Sequence, residues 1–431
     1  MRKFPLLVSA ILFFVFATAQ NKNITVIKAG KLIDTENGKS LDNQLILIEN
    51  DTIKAVGANI AIPKNATVID LSKATVLPGL IDCHTHVTAQ PGGDYYADIF
   101  RKTVVDYAIT AHIYAKRTLD AGFTTIRDVG SSAFMDVALK NAINNGDIPG
   151  PRMLCATLFI GSTGSHGDLN GFSPFLSWQM PKEMSGIANG VDEIRKQVRY
   201  NIKYGADVIK FGASAGVLSE EESVGGPQYT QEEMNALVDE AKLWGKKACA
   251  HAHGTLAIKM AVKAGVASIE HGSFVDDEGI ELMKQHGTYL VADIYNDDYI
   301  MSEYAKLGYP EKILNKERMV GRAQRENFAK AVKAGVKIAY GTDAGVYPHG
   351  WNGKQFFYMV KYGLTPMQAI QSATTSAADL LGWTSKVGSI TAGKFADIIA
   401  VTTDPLQNIT ALENVQFVMK GGVVYKNTLT K

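Results

Sequence analysis

Apolar and polar positions change rhythm twice along the chain. Between residues 25 and 76 the apolar residues come in short β-branched runs at 25–27, 44–48, 53–56 and 67–69. Glu49-Asn50-Asp51 and Val56-Gly57 supply turns between them. No helical period is present there. The same rhythm returns after Gly388, with runs at 397–401 and 415–419, a Lys420-Gly421-Gly422 turn, and a last run at 423–425. The pattern predicts one small β-domain built from both chain ends, residues 20–76 and 388–431.

Between 77 and 387 helical stretches alternate with short strands. A helix ends, a glycine follows, and a strand begins. The joints are Ala121-Gly122, Tyr204-Gly205, Trp244-Gly245, Ala264-Gly265, His286-Gly287 and Ala334-Gly335. Strands are predicted at 80–87, 124–128, 153–159, 208–211, 247–251, 267–271, 289–292 and 337–340. Eight strands alternating with helices predict an α/β chain, a (β/α)8 TIM barrel inserted in a small β-sandwich-like domain. Thr365-Pro366 should start a last helix, running to about Leu381.

The first residues follow another pattern. Arg2-Lys3 precedes an apolar run over 6–15, and Ala17-Thr18-Ala19 offers a small-x-small cleavage site. Residues 1–19 are thus expected to be a signal peptide, with Gln20 as the new N-terminus and the mature protein exported, periplasmic or secreted. The run is short of the ~20 residues a membrane span needs. No other stretch is long enough, so no stable span is expected after cleavage. At 431 residues, 46% hydrophobic, the chain can bury a large core. Its formal net charge of +1 gives no hint of nucleic acid as a partner. Cys83, Cys155 and Cys249 are an odd number, all inside apolar runs, and read as buried free thiols.

In such a barrel, reactive side chains sit at the C-terminal ends of strands. Strand one ends in His84 and His86, two imidazoles on the same side of an extended chain. Strand four carries Lys210 in an otherwise apolar Val-Ile-Lys-Phe-Gly. Strand five ends in His251, strand six in His271, and strand eight leads to Asp343. Each alone has a bland structural explanation, but six such groups at one barrel mouth make a metal site. His253 rivals His251, but Gly254 suggests that the strand has ended, which moves His253 behind the ligands or to a helix start. Arg127, at the end of strand two, is either a carboxylate clamp or the partner of Asp128.

The chain resembles the amidohydrolase superfamily, in its prolidase-like and imidazolonepropionase-like branch. The matching stretches are Pro78-Gly79-Leu80-Ile81-Asp82-Cys83-His84-Thr85-His86, Ala250-His251-Ala252-His253-Gly254, Ser268-Ile269-Glu270-His271-Gly272 and Gly341-Thr342-Asp343-Ala344-Gly345. A fifth runs from Gly388 to Asp397 and matches the return into the small domain. The resemblance implies two zinc ions, or another divalent metal. His84, His86 and Asp343 would hold one and His251 and His271 the other, with Lys210 bridging as a carbamate. Asp343 would move the proton as general base and acid. His166, in the glycine-rich loop after strand three, would polarise the carbonyl, and Tyr229 would contact substrate. The implied substrate is small, a dipeptide (Xaa-Pro or related) or an N-acyl amino acid. Two alternatives stay open: a metal-dependent lactonase or cyclic-amide hydrolase, and a metal-free scaffold of the same fold. The family's habits also suggest a homo-oligomer, which no patch in the sequence specifies.

Overall fold

The computed structural model describes residues 23–92, 97–173, 184–221 and 223–429. The expected signal segment, with cleavage after Ala19, lies outside the described residues, as does 174–183 in the loop after the third barrel strand. Strands β1 (Ile24–Asp34), β2 (Lys39–Glu49), β3 (Thr52–Gly57) and β4 (Thr67–Pro78) come from the N-terminal part. They share a seven-stranded mixed sheet with three late strands, β12 (Ile398–Val401), β13 (Phe417–Lys420) and β14 (Val423–Asn427). The order is β14-β13-β12-β4-β1-β2-β3, and β4 meets β12 antiparallel with Pro78 opposite Ile398. Side-chain alternation divides the two central strands between two cores. Leu32 and Val76 join the sheet's own apolar cluster with Ile46, Ile398 and Phe417. Their chain neighbours Ile33 and Leu77 face the other way, into the main barrel core.

The barrel strands are β5 (Leu80–Thr85), β6 (Phe123–Asp128), β7 (Arg152–Cys155), β8 (Val208–Gly212), β9 (Lys247–Ala252), β10 (Ser268–His271) and β11 (Tyr289–Val291). They form two parallel runs, β5-β6-β7 and β8-β9-β10-β11. Irregular backbone joins the runs into a closed ring. Ile160 N donates to Lys210 O, and Gly212 N to Ile160 O, both at 3.0 Å. On the other side Leu290 N donates to Lys337 O (2.8 Å), Cys83 N to Tyr340 O (2.8 Å) and His86 N to Ala344 O (2.8 Å).

Three predicted elements differ in detail, each for a physical reason. The third strand ends early because Thr157 turns left-handed (φ 63°), and its N–H goes to the Asp136 carboxylate at 2.8 Å instead of a ladder carbonyl. The eighth strand is an irregular segment, not a ladder. At Thr342 the N–H is shared between the strand carbonyl His84 O (3.3 Å) and the Asp82 side chain (3.1 Å), which also accepts from Thr342 Oγ1 (2.6 Å). The last helix is two helices, Pro366–Ser372 and Thr375–Leu381. The break frees two carbonyls for the barrel: Ser372 O accepts from Tyr340 N (2.9 Å) and Ala373 O from Ile81 N (2.7 Å). All three cysteines are buried and free. Among the described residues, no helix is long and apolar enough to cross a membrane.

Candidate metal centre

The strand ends surround a cavity of about 750 Å³ at the barrel mouth. His84, His86, Lys210, His251, His271, Asp343 and His166 all line it, as does His253. Three sets of side chains bring ligand atoms within 4.8 Å of one another: His84, His86 and Asp343; His251, His253 and His271; and His271, Asp293 and Asp343. Asp343 therefore stands between the two histidine groups. Both His84 Nε2 and His86 Nε2 lie 3.3 Å from Asp343 Oδ1. Burial alone would raise the Asp343 carboxyl, but these two rings hold it below its usual range.

The rings share one arrangement, in which an outer partner takes Nδ1. His86 Nδ1 donates to Gly130 O at 2.9 Å. His271 Nδ1 meets Asp293 Oδ1 at 2.9 Å, and His253 Nδ1 meets Ser273 Oγ at 2.8 Å. His84 Nδ1 lies 3.0 Å from Glu270 Oε2, an approach too bent for a full hydrogen bond. With Nδ1 engaged outward, Nε2 is left for a cation, which is how metal-binding histidines are usually supported. Among the described residues, the buried His251 Nε2 has no hydrogen-bond partner. An orphaned imidazole nitrogen amid nitrogen and carboxylate donors fits a divalent metal.

Backbone strain sets two of these groups. His271 and Asp343 are left-handed, at φ 69° and 56°. Such conformations in non-glycine residues persist only when surrounding contacts enforce them, and they gather at functional sites. Asp343 N donates to His84 O at 2.7 Å, so the turn is pinned to β5. A Cβ at Gly341 would come within 2.9 Å of His84 Cβ and 2.2 Å of Val291 Cγ1, so only glycine lets this turn lie against the strand.

Lys210 is 1% exposed, and among the described residues its ammonium has no hydrogen bond or ion pair, only the Phe159 ring at 5.8 Å. His166 stacks on His251, with centroids 4.1 Å apart and planes at 14°, while Ser219 Oγ holds its Nδ1 at 2.8 Å. Burial, with His271 nearby, pushes its ring down to about 3, so it is neutral. Close approach again needs glycine: a Cβ at Gly216 would meet His166 Cε1 at 2.5 Å.

Two expected substrate contacts are corrected. Tyr229 is in the main core, away from the cavity lining, and its hydroxyl donates to Ala188 O at 2.9 Å. Arg127 is neither a clamp at the mouth nor the partner of Asp128. It is 2% exposed inside the barrel, with Nη2 2.8 Å from Glu270 Oε1 and Nη1 3.1 Å from Ser268 Oγ. His253, expected behind the ligands, has its ring among them.

Sequence reasoning missed Asp293, although it follows β11 directly, where the strand-end rule points. Asp293 also accepts from the nearby Asn296 Nδ2 (2.6 Å) and, across the fold, from Gln324 Nε2 (2.7 Å). His349, given no role, is buried and structural, its Nε2 donating to Ala89 O at 2.9 Å. His112 and His286 are exposed on helices, remote from the cavity lining.

Comparison with known proteins agrees with this geometry. The model of the amidohydrolase family matches residues 75–425. Ochratoxinase from Aspergillus niger is 32% identical over 96% of this chain and 88% of its own length. The structure of a Xaa-Pro dipeptidase with methionine bound in its active site superposes with a TM-score of 0.89. It is 41% identical, over 94% of this chain and all of that one. A prolidase solved with N-methylphosphonate-L-proline is 31% identical, with a TM-score of 0.86 over 94% of this chain and 100% of its own.

Proposed function

Because this chain belongs to the amidohydrolase family, and is a hydrolase acting on carbon–nitrogen bonds, we propose that it is an exported binuclear zinc enzyme cleaving the amide bond of a dipeptide or an N-acyl amino acid. The observation that carries this reading is that Asp343 gathers His84 and His86 from one histidine group and His271 from the other, beside the buried Lys210, unpaired among the described residues. The dipeptidase and prolidase among its structural relatives favour Xaa-Pro and related dipeptides. Export rests on the signal-like residues 1–19.

His84, His86 and Asp343 would hold one ion and His251 and His271 the other, with His253 as a further donor to the second. Lys210 would join the two as a carbamate formed with carbon dioxide. A buried ammonium without a counter-ion is costly, and carbamate formation replaces it with an anion. Divalent ions in such a site acidify water and polarise a carbonyl. The rest falls to the chain's own side chains. Asp343 takes a proton from the attacking water and passes it to the leaving nitrogen. His166 serves the carbonyl oxygen with the ring nitrogen that Ser219 leaves free.

A metal-quantified hydrolysis screen tests the reading. Mature protein prepared with zinc and bicarbonate is offered Xaa-Pro, Xaa-Arg and Xaa-aromatic dipeptides, N-acyl amino acids and lactones. About two metals per chain with turnover of one amide class is the expected result. Activity confined to lactones would overturn the substrate, and a metal-free inert protein would overturn the enzyme.

A further inference from the structure

Lys316, on the helix Glu311–Ala334, is 4% exposed and makes no ion pair among the described residues. Its ammonium is spread over the backbone of one loop, donating to Gly216 O (2.9 Å), Ser219 O (2.5 Å) and Glu221 O (3.0 Å). An ammonium has three protons, and each has an acceptor here. Lys312, one turn earlier, pairs with Glu220 of the same loop. A buried cation held by carbonyls alone keeps its charge, and that charge acts on the loop it grips.

The loop reaches His166 at ring and backbone. A Cβ at Gly216 would meet His166 Nδ1 at 2.6 Å, so the loop lies directly against the ring. Gln228 Oε1 accepts from His166 N at 3.0 Å, while Gln228 Nε2 donates to Glu221 Oε1 at 2.8 Å. Ser219 Oγ sits 2.8 Å from His166 Nδ1 and 3.3 Å from Gly216 O.

That hydroxyl has one proton and two acceptors in reach. A neutral imidazole also has one N–H to place. Donation to Gly216 O would make Ser219 the acceptor from Nδ1–H and leave Nε2 a bare lone pair, which repels a carbonyl oxygen. Donation to Nδ1 puts the ring proton on Nε2, where it can serve one. Lys316 decides between the two, because its charge already occupies Gly216 O and makes that oxygen the poorer acceptor. We propose that Lys316 is a positioning residue: through Gly216 O and Ser219 it holds His166 in the Nε2–H tautomer. The proposal rests on the amide-hydrolase reading above, in which His166 acts on the carbonyl oxygen.

Nitrogen NMR of the histidine-labelled, zinc-loaded enzyme reads the tautomer without any turnover. The His166 signals are those missing from His166→Asn. The wild type should show Nε2–H, and Nδ1–H there overturns the proposal. Lys316→Met, which keeps the stem and removes the charge, should move the ring toward Nδ1–H. It should also lower kcat for the amide substrate about tenfold or more with KM little changed. Where Lys316→Met fails to fold, Lys316→Gln keeps donors for the carbonyls without the charge and should shift the ring in the same direction. A folded variant with the wild-type tautomer overturns the role of Lys316. If no amide is cleaved, the hydrolase reading falls, while the tautomer still judges Lys316.

Discussion

Arg127 is paired with Glu270, at 2.8 Å, and not with its chain neighbour Asp128. The pair is wholly inside the barrel, and the second Glu270 oxygen reaches toward His84 Nδ1 at 3.0 Å. Burial opposes the Glu270 charge, but Arg127 and His84 hold the carboxyl well below its usual range. A cation in the barrel interior thus sets the orientation of a ligand at the mouth. Glu270→Gln should cost about 3–5 kcal/mol in denaturant unfolding, because Arg127 is left buried without its counter-ion. Zinc affinity should fall about 10- to 100-fold in a chelator competition, because His84 loses its outer support. A variant as stable and as tightly loaded as the wild type would refute this coupling.

Asp343 belongs to the His84–His86 group and also meets His271 of the other histidine group, so its substitution should separate proton transfer from metal retention. Asp343→Asn should lower kcat by about 10²- to 10⁴-fold. Metal content by elemental analysis should stay close to the wild-type value, since the remaining donors are untouched. Full turnover in this variant would remove Asp343 from the chemistry.

Lys210 should make reconstitution depend on carbon dioxide. Metal-stripped enzyme given zinc should recover activity with bicarbonate and recover poorly in carbon-dioxide-free buffer. Lys210→Met, which keeps the apolar stem and removes the amine, should bind less metal and show no response to bicarbonate. Identical recovery of the wild type in both buffers would exclude the carbamate.

Away from the mouth, Glu240 on the helix Gln231–Leu243 gives a stability prediction with a definite sign. It accepts from Arg199 Nε (2.7 Å), Trp244 Nε1 (3.0 Å) and Arg195 Nη1 (3.1 Å), tying this helix to Gly190–Lys203. The Arg199 contact, with Trp244 and Arg195, brings its carboxyl down from 4.5 to about 2. A depressed carboxylate stabilises the fold above its unfolded pKa, and that contribution fades as pH falls from 4.5 through about 2. Because Arg199 is half in solvent, the gain is about 1 kcal/mol. Urea midpoints should separate wild type from Glu240→Gln at pH 7 and converge steadily below pH 4.5.

The sequence made the barrel legible because strand ends and helix-ending glycines leave local marks. His84, His86, Lys210, His251, His271 and Asp343 could be named because each sits where a strand meets the mouth. His253 was discounted because Gly254 looked like a strand end. In the fold His253 N is caught by Ser214 Oγ at 2.9 Å, so the ring stays on the His251 side. The two-residue spacing that marked His84 and His86 was present there as well. Arg127 and Tyr229 were illegible for another reason. Their environments are set by Glu270 and Ala188, and sequence spacing carries no record of such pairings across the fold. The eighth strand was mistaken for a regular one because nothing local shows that a side chain, Asp82, will compete with a ladder carbonyl for Thr342 N.

The β4–β12 pairing, with Pro78 opposite Ile398, bears on how the chain can be made. The first four strands leave the ribosome long before the partners that complete their sheet. Until residues 398–427 arrive, β4 presents an open edge beside Val76 and Leu77, both fully buried in the finished protein. Folding cannot proceed segment by segment from the N-terminus, and the waiting edge is a template for wrong pairing. Truncation at the C-terminus should therefore damage the oldest part of the nascent chain first, leaving the N-terminal strands without the neighbours that keep them soluble.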